Sequence, residues 1–161
     1  MFKLKEHVLV YSNSSKSNVL CEIKADRIID WSASYHFFDS NQESFGCVKR
    51  KGMRSIFKAH YDVFDENDQP LAQIKEENPM AKIGDAMLGE IPVLGVLSGY
   101  LFNPKYLLTS TSGQPLMRLS KKPAFLEGKF QVDKLADFDE VDELTYLMSF
   151  MMMCLLERMR G

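Results

Sequence analysis

Hydrophobic and polar residues alternate strictly in the middle of the chain. In SIFKAHYDVF (55–64), apolar side chains occupy every second position and polar ones lie between them, except at the first residues. A period of two is typical of a strand with one buried face. The stretch ends at the turn-forming cluster DENDQ (65–69), and PLAQIK follows. The pattern therefore predicts a β-hairpin.

The hairpin pattern recurs along the chain. The segments YHFFDSNQESFGCVKRK, YDVFDENDQPLAQIKEE and YLLTSTSGQPLMRLSKK begin at Tyr35, Tyr61 and Tyr106, and VLVYSNSSKSNVLCEIK has the same outline from Val8. In the first three, a large apolar residue follows ten positions after the Tyr, with turn formers between them. We interpret this as a repeated structural unit, although a succession of unrelated hairpins would give a similar pattern.

Further strands are predicted at 19–23, 26–31, 124–129 and 130–134. Short strands at even spacing favour a sandwich or a barrel. Two stretches depart from the pattern: 86–102, with the sequence AMLGEIPVLGVLSGYLF, and the end of the chain.

The end of the chain, LTYLMSFMMMCLLERMRG, predicts a helix from about residue 140 to residue 159. Asp139 is a suitable N-cap, and the acidic residues after it are favoured by the helix dipole. Arg158 and Arg160 lie at the other end, where cations are favoured.

This helix has three interpretations: a membrane anchor, a partner-binding helix or the protein's own core. It is apolar on almost every side, with a thin polar strip formed by Thr145 and Ser149, so it must be surrounded. Its uncharged run, 144–156, spans roughly 20 Å, which is short of a hydrocarbon core of roughly 30 Å. We therefore expect a closed β-sheet to surround it.

The hairpins and the final helix resemble the tubby C-terminal-like superfamily, and within it the phospholipid scramblase and LURP-one-related branch. The resemblance rests on YDVFDENDQPLAQIKEE, YLLTSTSGQPLMRLSKKPAFLEGKFQV and LTYLMSFMMMCLLER, and it covers about 8–158. It implies a mainly β fold, a closed antiparallel barrel of about twelve strands wrapped around the C-terminal helix; periodicity alone predicts about eight or nine strands. Tubby proteins bind phosphoinositides through basic residues on the barrel surface. The chain lacks the Pro-rich region and the Cys cluster of scramblases.

Composition bounds the function. The length of 161 residues suits a single domain over 1–161. The net charge of −2 disfavours a nucleic-acid partner, because such binders are usually basic. The three Cys residues are widely spaced and suggest a reducing compartment. The apolar run near the start is too short for a signal peptide. We expect a cytoplasmic protein, peripheral at the membrane if it binds lipid.

Two basic clusters are candidate ligand sites. One comprises Lys49, Arg50, Lys51 and Arg54, and the other is the Lys121–Lys122 pair, which holds a similar position after its own hairpin. Both could bind an anionic lipid headgroup or a phosphate. The alternative is a solvated inter-strand loop whose lysines discourage edge pairing.

Other chemistry has little support in the sequence. The stretch DVFDENDQ lacks the Gly and Glu of an EF-hand loop, His7, His36 and His60 are far apart, and the common catalytic motifs are missing. We therefore expect no metal, no cofactor and no enzymatic activity; an unrecognised hydrolase would need a Ser/His/Asp cleft.

The leading hypothesis is a non-enzymatic module that binds an anionic phospholipid headgroup, another small ligand or a protein. The second is a structural or regulatory module that self-associates or binds a partner through 86–102. That segment is interrupted by three glycines and Pro92, and it is equally compatible with burial.

Overall fold

The computed structural model describes residues 7–26, 33–51, 60–77, 104–122 and 129–158. This part of the chain is mainly β, with nine strands followed by one helix. The strands are β1 (His7–Tyr11), β2 (Val19–Ala25), β3 (Ser34–Phe38), β4 (Ser44–Arg50), β5 (His60–Phe64), β6 (Pro70–Glu76), β7 (Lys105–Ser110), β8 (Pro115–Lys122) and β9 (Lys129–Lys134). The helix α1 spans Glu140–Arg158.

The nine strands form one antiparallel sheet in which each strand pairs with its neighbours in chain order. The predicted strands at 19–23 and 130–134 are confirmed as β2 and β9. The predicted helix is confirmed to within one residue at its end. Most of the predicted strands at 26–31 and 124–129 lie outside the described residues.

The predicted closure into a barrel is not found in this sheet. Among the described strands, β1 and β9 each have a single neighbour and do not pair with each other. The physical reason lies in the topology. Nine strands that reverse direction at every step leave the first and the last running the same way, so antiparallel closure between them is impossible.

Three hairpins of the sheet share one turn, which a backbone hydrogen bond closes between residues four apart (39–43, 65–69 and 110–114). The turn between β1 and β2 is longer and closes between residues six apart, Ser12 and Asn18. Each turn holds one residue in the left-handed conformation, and the strand register shifts by one residue just before the turn. These residues are Lys16 (φ 54°), Gln42 (φ 65°), Asp68 (φ 58°) and Gly113 (φ 88°). In two turns an Asp side chain accepts backbone N–H groups: Asp39 from Asn41 and Glu43, and Asp65 from Asn67 and Gln69. The segments that begin at Tyr35, Tyr61 and Tyr106 therefore form the same local structure, and the segment from Val8 forms a hairpin with a longer turn.

One hydrophobic core joins the sheet and the helix. Every strand from β2 to β8 contributes inward side chains to it, because alternate residues of a strand point to the same face. The inward residues include Ile23, Phe37, Val48, Tyr61, Val63, Ile74, Leu108 and Met117, each at most 2% exposed. From the helix, Tyr146, Met148, Phe150, Met152 and Met153 are buried against them.

The helix places its polar strip inward. Thr145 and Ser149 are both 0% exposed, although they are the polar residues in the middle of the helix. Ser149 Oγ donates to Thr145 O at 2.7 Å, and Thr145 Oγ1 lies 2.9 Å from Val141 O and 3.1 Å from Phe45 O. Both hydroxyls therefore donate hydrogen bonds to backbone carbonyls, so burying them costs little free energy. The less buried face is apolar, with Leu144, Leu147 and Met151.

The sheet has two distinct ends. The four hairpin turns lie at one end, which we call the turn end. The helix begins there too, since Thr145 contacts the start of β4. The connections 26–33, 51–59, 77–104 and 123–128 leave from the opposite end, which we call the connection end.

Candidate functional site

The structure places the described basic candidates at the connection end. Lys49 and Arg50 lie in the last residues of β4, and Lys51 follows directly. Lys121 and Lys122 are the last residues of β8. The interpretation as loops is therefore wrong for all of these except Lys51. Arg54 lies outside the described residues.

Lys49 connects two adjacent hairpins. Its Nζ lies 4.5 Å from the centre of the Phe64 ring and 3.4 Å from Asp68 Oδ1. Lys24 does the same one hairpin earlier: its Nζ lies 4.6 Å from the Phe38 ring centre and donates to Gln42 Oε1. Cation–π contacts of this kind stabilise modestly at exposed sites. The shared arrangement indicates that Lys49 has a structural role in the repeat.

Arg50 and Lys51 point to opposite faces of the sheet. Arg50 pairs in register with Tyr61, and its guanidinium lies 5.9 Å from the Tyr61 ring centre on the core side. Lys51 lies on the outer face, where its Nζ is 3.5 Å from Asp62 Oδ2 and its side chain is 58% exposed. Of these two cations, Lys51 is exposed and Arg50 is half-buried.

Lys121 and Lys122 extend β8 beyond the core. The backbone N–H of Lys121 donates to Pro104 O at 3.2 Å, so β8 still follows β7 at this point. Lys122 is exposed, and Lys121 is half-buried. With strands about 4.8 Å apart, four strand spacings place the β4 and β8 clusters roughly 19 Å apart along the sheet. The two predicted clusters are therefore at the same end but do not form one compact site.

Three more lysines join the connection end. Lys75 lies near the end of β6, Lys105 begins β7 and Lys129 begins β9. Sequence reasoning missed them because each stands alone in the chain. The signal that could have found them is position: each falls within two residues of a strand end that leads to a connection.

Charge is separated between the two ends of the sheet. Within two residues of the described strand ends at the connection end, the cations are Lys24, Lys49, Arg50, Lys51, Lys75, Lys105, Lys121, Lys122 and Lys129, and the carboxylates are Asp26, Asp62, Glu76 and Glu77. Glu77 is neutralised by Arg118, with the two hydrogen bonds at 2.9 and 3.0 Å. This end is therefore basic in a chain whose net charge is −2.

The turn end is acidic. Its carboxylates are Asp39, Glu43, Asp65, Glu66, Asp68, Asp133, Asp137, Asp139, Glu140, Asp142 and Glu143, against the cations Lys16 and Lys134. Burial raises the pKa of Asp142, and the negative charges of Asp139, Asp65 and Glu66 raise it further. The start of the helix and the turn between β5 and β6 thus carry negative charge at the same end of the sheet.

The outer face next to Lys51 holds a half-buried imidazole. His60 Nε2 lies 3.5 Å from Asp62 Oδ1. Burial lowers the pKa of His60, and the nearby Lys75 and Lys51 lower it further, while Asp62 opposes them. His60 is therefore biased towards its neutral form, so the positive charge here comes from the lysines.

The remaining predicted sites are placed as follows. The acidic stretch 62–69 forms a strand end and a turn, in which Asp65 accepts backbone N–H groups. Cys21 and Cys47 are buried free thiols, and burial raises the pKa of each to about 11. Across the five described ranges, no group of three or more His, Cys, Asp and Glu residues could hold a metal ion.

The segment 86–102, predicted as a self-association surface, lies outside the described residues. In the part of the chain that the structure describes, no helix combines the length and the apolar character needed to cross a membrane. Comparisons of the chain with protein-family models, with curated proteins and with solved structures gave no match.

Proposed function

We propose that this protein is a non-enzymatic module that associates peripherally with anionic phospholipid surfaces through the connection end of its sheet. The observation that carries the proposal is the separation of charge between a basic connection end and an acidic turn end. Near an anionic leaflet such a molecule is both attracted and oriented, since its acidic end is repelled.

The spacing of the lysines favours a surface over a single headgroup. A headgroup site requires charges that converge on one phosphate, and the β4 and β8 clusters are roughly 19 Å apart along the sheet. A membrane has no such requirement, because many lipids can each meet one lysine. Lys51, Lys105, Lys122 and Lys129 all belong to this basic end, and Lys51 and Lys122 are exposed.

The lipid proposal is tested by sedimentation of the protein with phosphatidylserine-containing vesicles. Lys51→Gln/Lys122→Gln removes two charges from the basic end. Each lysine near an anionic surface contributes about 1 kcal/mol, so the double variant should partition roughly thirtyfold more weakly. Binding should also fall with added salt.

A matched control removes two charges from the other end. Lys16→Asn/Lys134→Gln also deletes one free lysine and one ion-paired lysine, since Lys134 contacts Glu143 at 2.7 Å as Lys51 contacts Asp62. Asn is suited to the left-handed conformation of residue 16. This variant should bind at least as well as the wild type. Equal losses in both variants, or binding to a DNA duplex but not to vesicles, would contradict the proposal.

A further inference from the structure

The strand β9 is exposed on both faces. Phe130 and Val132, which point to the same side as the core, are 48% and 38% exposed. In β2 to β8, by contrast, most inward hydrophobic residues are at most 8% exposed. Among the described strands, β9 pairs with β8 alone. An edge strand with exposed apolar residues can pair with a strand of another chain through its free backbone N–H and C=O groups.

The sequence of β9 is self-complementary about Gln131. Lys129 and Asp133 lie two positions on either side of it, and Phe130 and Val132 lie one position on either side. Antiparallel pairing of two β9 strands, centred on Gln131, would place Lys129 opposite Asp133 of a second copy, and Phe130 opposite its Val132. Because the pairing is two-fold symmetric, each match occurs twice. Opposite charges and apolar pairs placed across strands stabilise a sheet.

Other registers lose this complementarity. Centring the pairing between Gln131 and Val132 would place Lys129 opposite Lys134, a like-charge pair, and Phe130 opposite Asp133. Centring it on Val132 would place Phe130 opposite Lys134. The register centred on Gln131 is thus the one, of these three, that matches both the charged face and the apolar face.

We propose that β9 is a self-association surface whose partner is β9 of a second copy, paired antiparallel about Gln131. The charge separation of the sheet supports this occupant, because antiparallel pairing brings the basic end of one copy beside the acidic end of the other. The dimer then presents one basic end in each of two opposite directions. This inference stands apart from lipid binding, since it uses the edge of the sheet.

The first test is disulfide trapping of the full chain under mild oxidation. Gln131→Cys places two thiols on the symmetry axis, where opposed Cα atoms of an antiparallel pair are about 4.5–5.5 Å apart, within disulfide range. Lys129→Cys is the matched control on the same strand face, because its symmetry mate would be roughly 13 Å away along the strand. Rapid dimer formation by Gln131→Cys alone supports the proposal, and equal trapping of both variants, or of neither, overturns it.

The second test reverses charges and measures mass by sedimentation equilibrium up to high micromolar concentration. Lys129→Asp and Asp133→Lys each create two like-charge pairs in the homodimer and should weaken it at least roughly tenfold. An equimolar mixture of the two variants restores opposite charges at both positions, so the mixture should dimerise like the wild type. A wild type that stays monomeric, or a mixture that fails to recover, contradicts the pairing.

Asp133 lies opposite Arg118 in the sheet, so Asp133→Lys is checked for folding by circular dichroism before its mass is interpreted. If that variant does not fold, the trapping comparison decides, since Gln131→Cys and Lys129→Cys change exposed side chains. Dimers that persist unchanged in a folded Lys129→Asp variant would assign self-association to another surface and overturn this one.

Discussion

Thr145 of the helix lies against Gly46 of β4 so closely that a side chain on Gly46 has no room. A Cβ at Gly46 would be 2.8 Å from Thr145 Cγ2 and 2.7 Å from Phe64 O. Gly46 also has a φ of 151°, which side-chain-bearing residues rarely adopt. The absence of a side chain here lets the helix approach the sheet, where Thr145 Oγ1 reaches Phe45 O.

Gly46→Ala should therefore lower the free energy of unfolding by about 2–4 kcal/mol, from backbone strain together with overpacking. Urea unfolding measures the loss. Gly113→Ala is the matched control, since Gly113 also has a positive φ, 88°, but a Cβ there meets nothing within 4 Å. The control should lose about 1–2 kcal/mol from strain alone. Equal losses at both positions would show that the contact with Thr145 has no energetic weight.

The contact can also be tested from the side of the helix. Thr145→Ser keeps the hydroxyl that reaches Phe45 O but removes Cγ2, the side-chain atom nearest to a Cβ on Gly46. The double variant Gly46→Ala/Thr145→Ser should be more stable than the sum of the single effects predicts, by about 0.5–2 kcal/mol. A double-mutant cycle in urea gives this coupling, and additive effects would contradict direct contact.

The N-cap of the helix gives a third prediction. Asp139 Oδ1 accepts the backbone N–H of Asp142 at 2.8 Å, which satisfies a donor that the helix itself leaves open. Asp139→Ala should destabilise the protein by about 1 kcal/mol, whereas Asp139→Asn retains an accepting oxygen and should cost much less. Thermal unfolding followed at the helix signal of circular dichroism compares them. If Asn and Ala cost the same, the cap is not the source of stability.

His60 should make stability depend on pH. Its pKa is lowered from 6.5, with burial as the main cause. The unfolded chain therefore takes up a proton at a pH where the folded protein still holds a neutral imidazole. Stability is full above about pH 6.5 and declines as the pH falls towards the lowered pKa of the folded state.

Urea midpoints measured between neutral and mildly acidic pH test this decline. His60→Gln should flatten it, because the titrating group is gone. Asp62→Asn should extend the decline in stability to lower pH, because the Asp62 charge favours the protonated imidazole and its loss lowers the pKa of His60 further. A decline that is unchanged in both variants would assign the pH dependence to other groups.

The lysine contacts between hairpins give the last prediction. Lys49→Met keeps an apolar stem beside Phe64 but removes the cation and its contact with Asp68. The expected loss of stability is about 0.5–1 kcal/mol. Lys24→Met, one hairpin earlier, should lose a similar amount, and unfolding in urea compares the two. A loss of stability in one variant but not in the other would show that the two lysines do not have the same structural role.

Much of the fold follows from local signals in the sequence. Alternation, turn formers and the Asp139 cap all act within a few residues of the structure they specify. They are sufficient to predict the hairpins and the limits of the helix. Closure of the sheet is different, because it depends on how the first and last strands meet. No local pattern encodes that meeting.

The candidate site was less predictable for the same reason. Lys75, Lys105 and Lys129 are separated in the chain, and only strand register brings them to one end. The adjacent basic residues at 49–51, conversely, are divided by the alternation of the strand: Arg50 lies over Tyr61 on the core side, and Lys49 and Lys51 lie outside. Adjacency in the sequence therefore grouped 49–51 although they lie on two faces, and it gave no sign of the dispersed lysines that share the connection end.

The order of the elements has a consequence for biosynthesis. Because chains are made from the N-terminus at about 5–20 residues per second, the ribosome completes all nine strands before the helix emerges. Hairpins with local contacts form rapidly, yet their inward residues, such as Phe37, Tyr61 and Leu108, have no helix to cover them until then. During that interval the inward face of the nascent sheet stays open to solvent, and a premature stop before the helix would leave it uncovered.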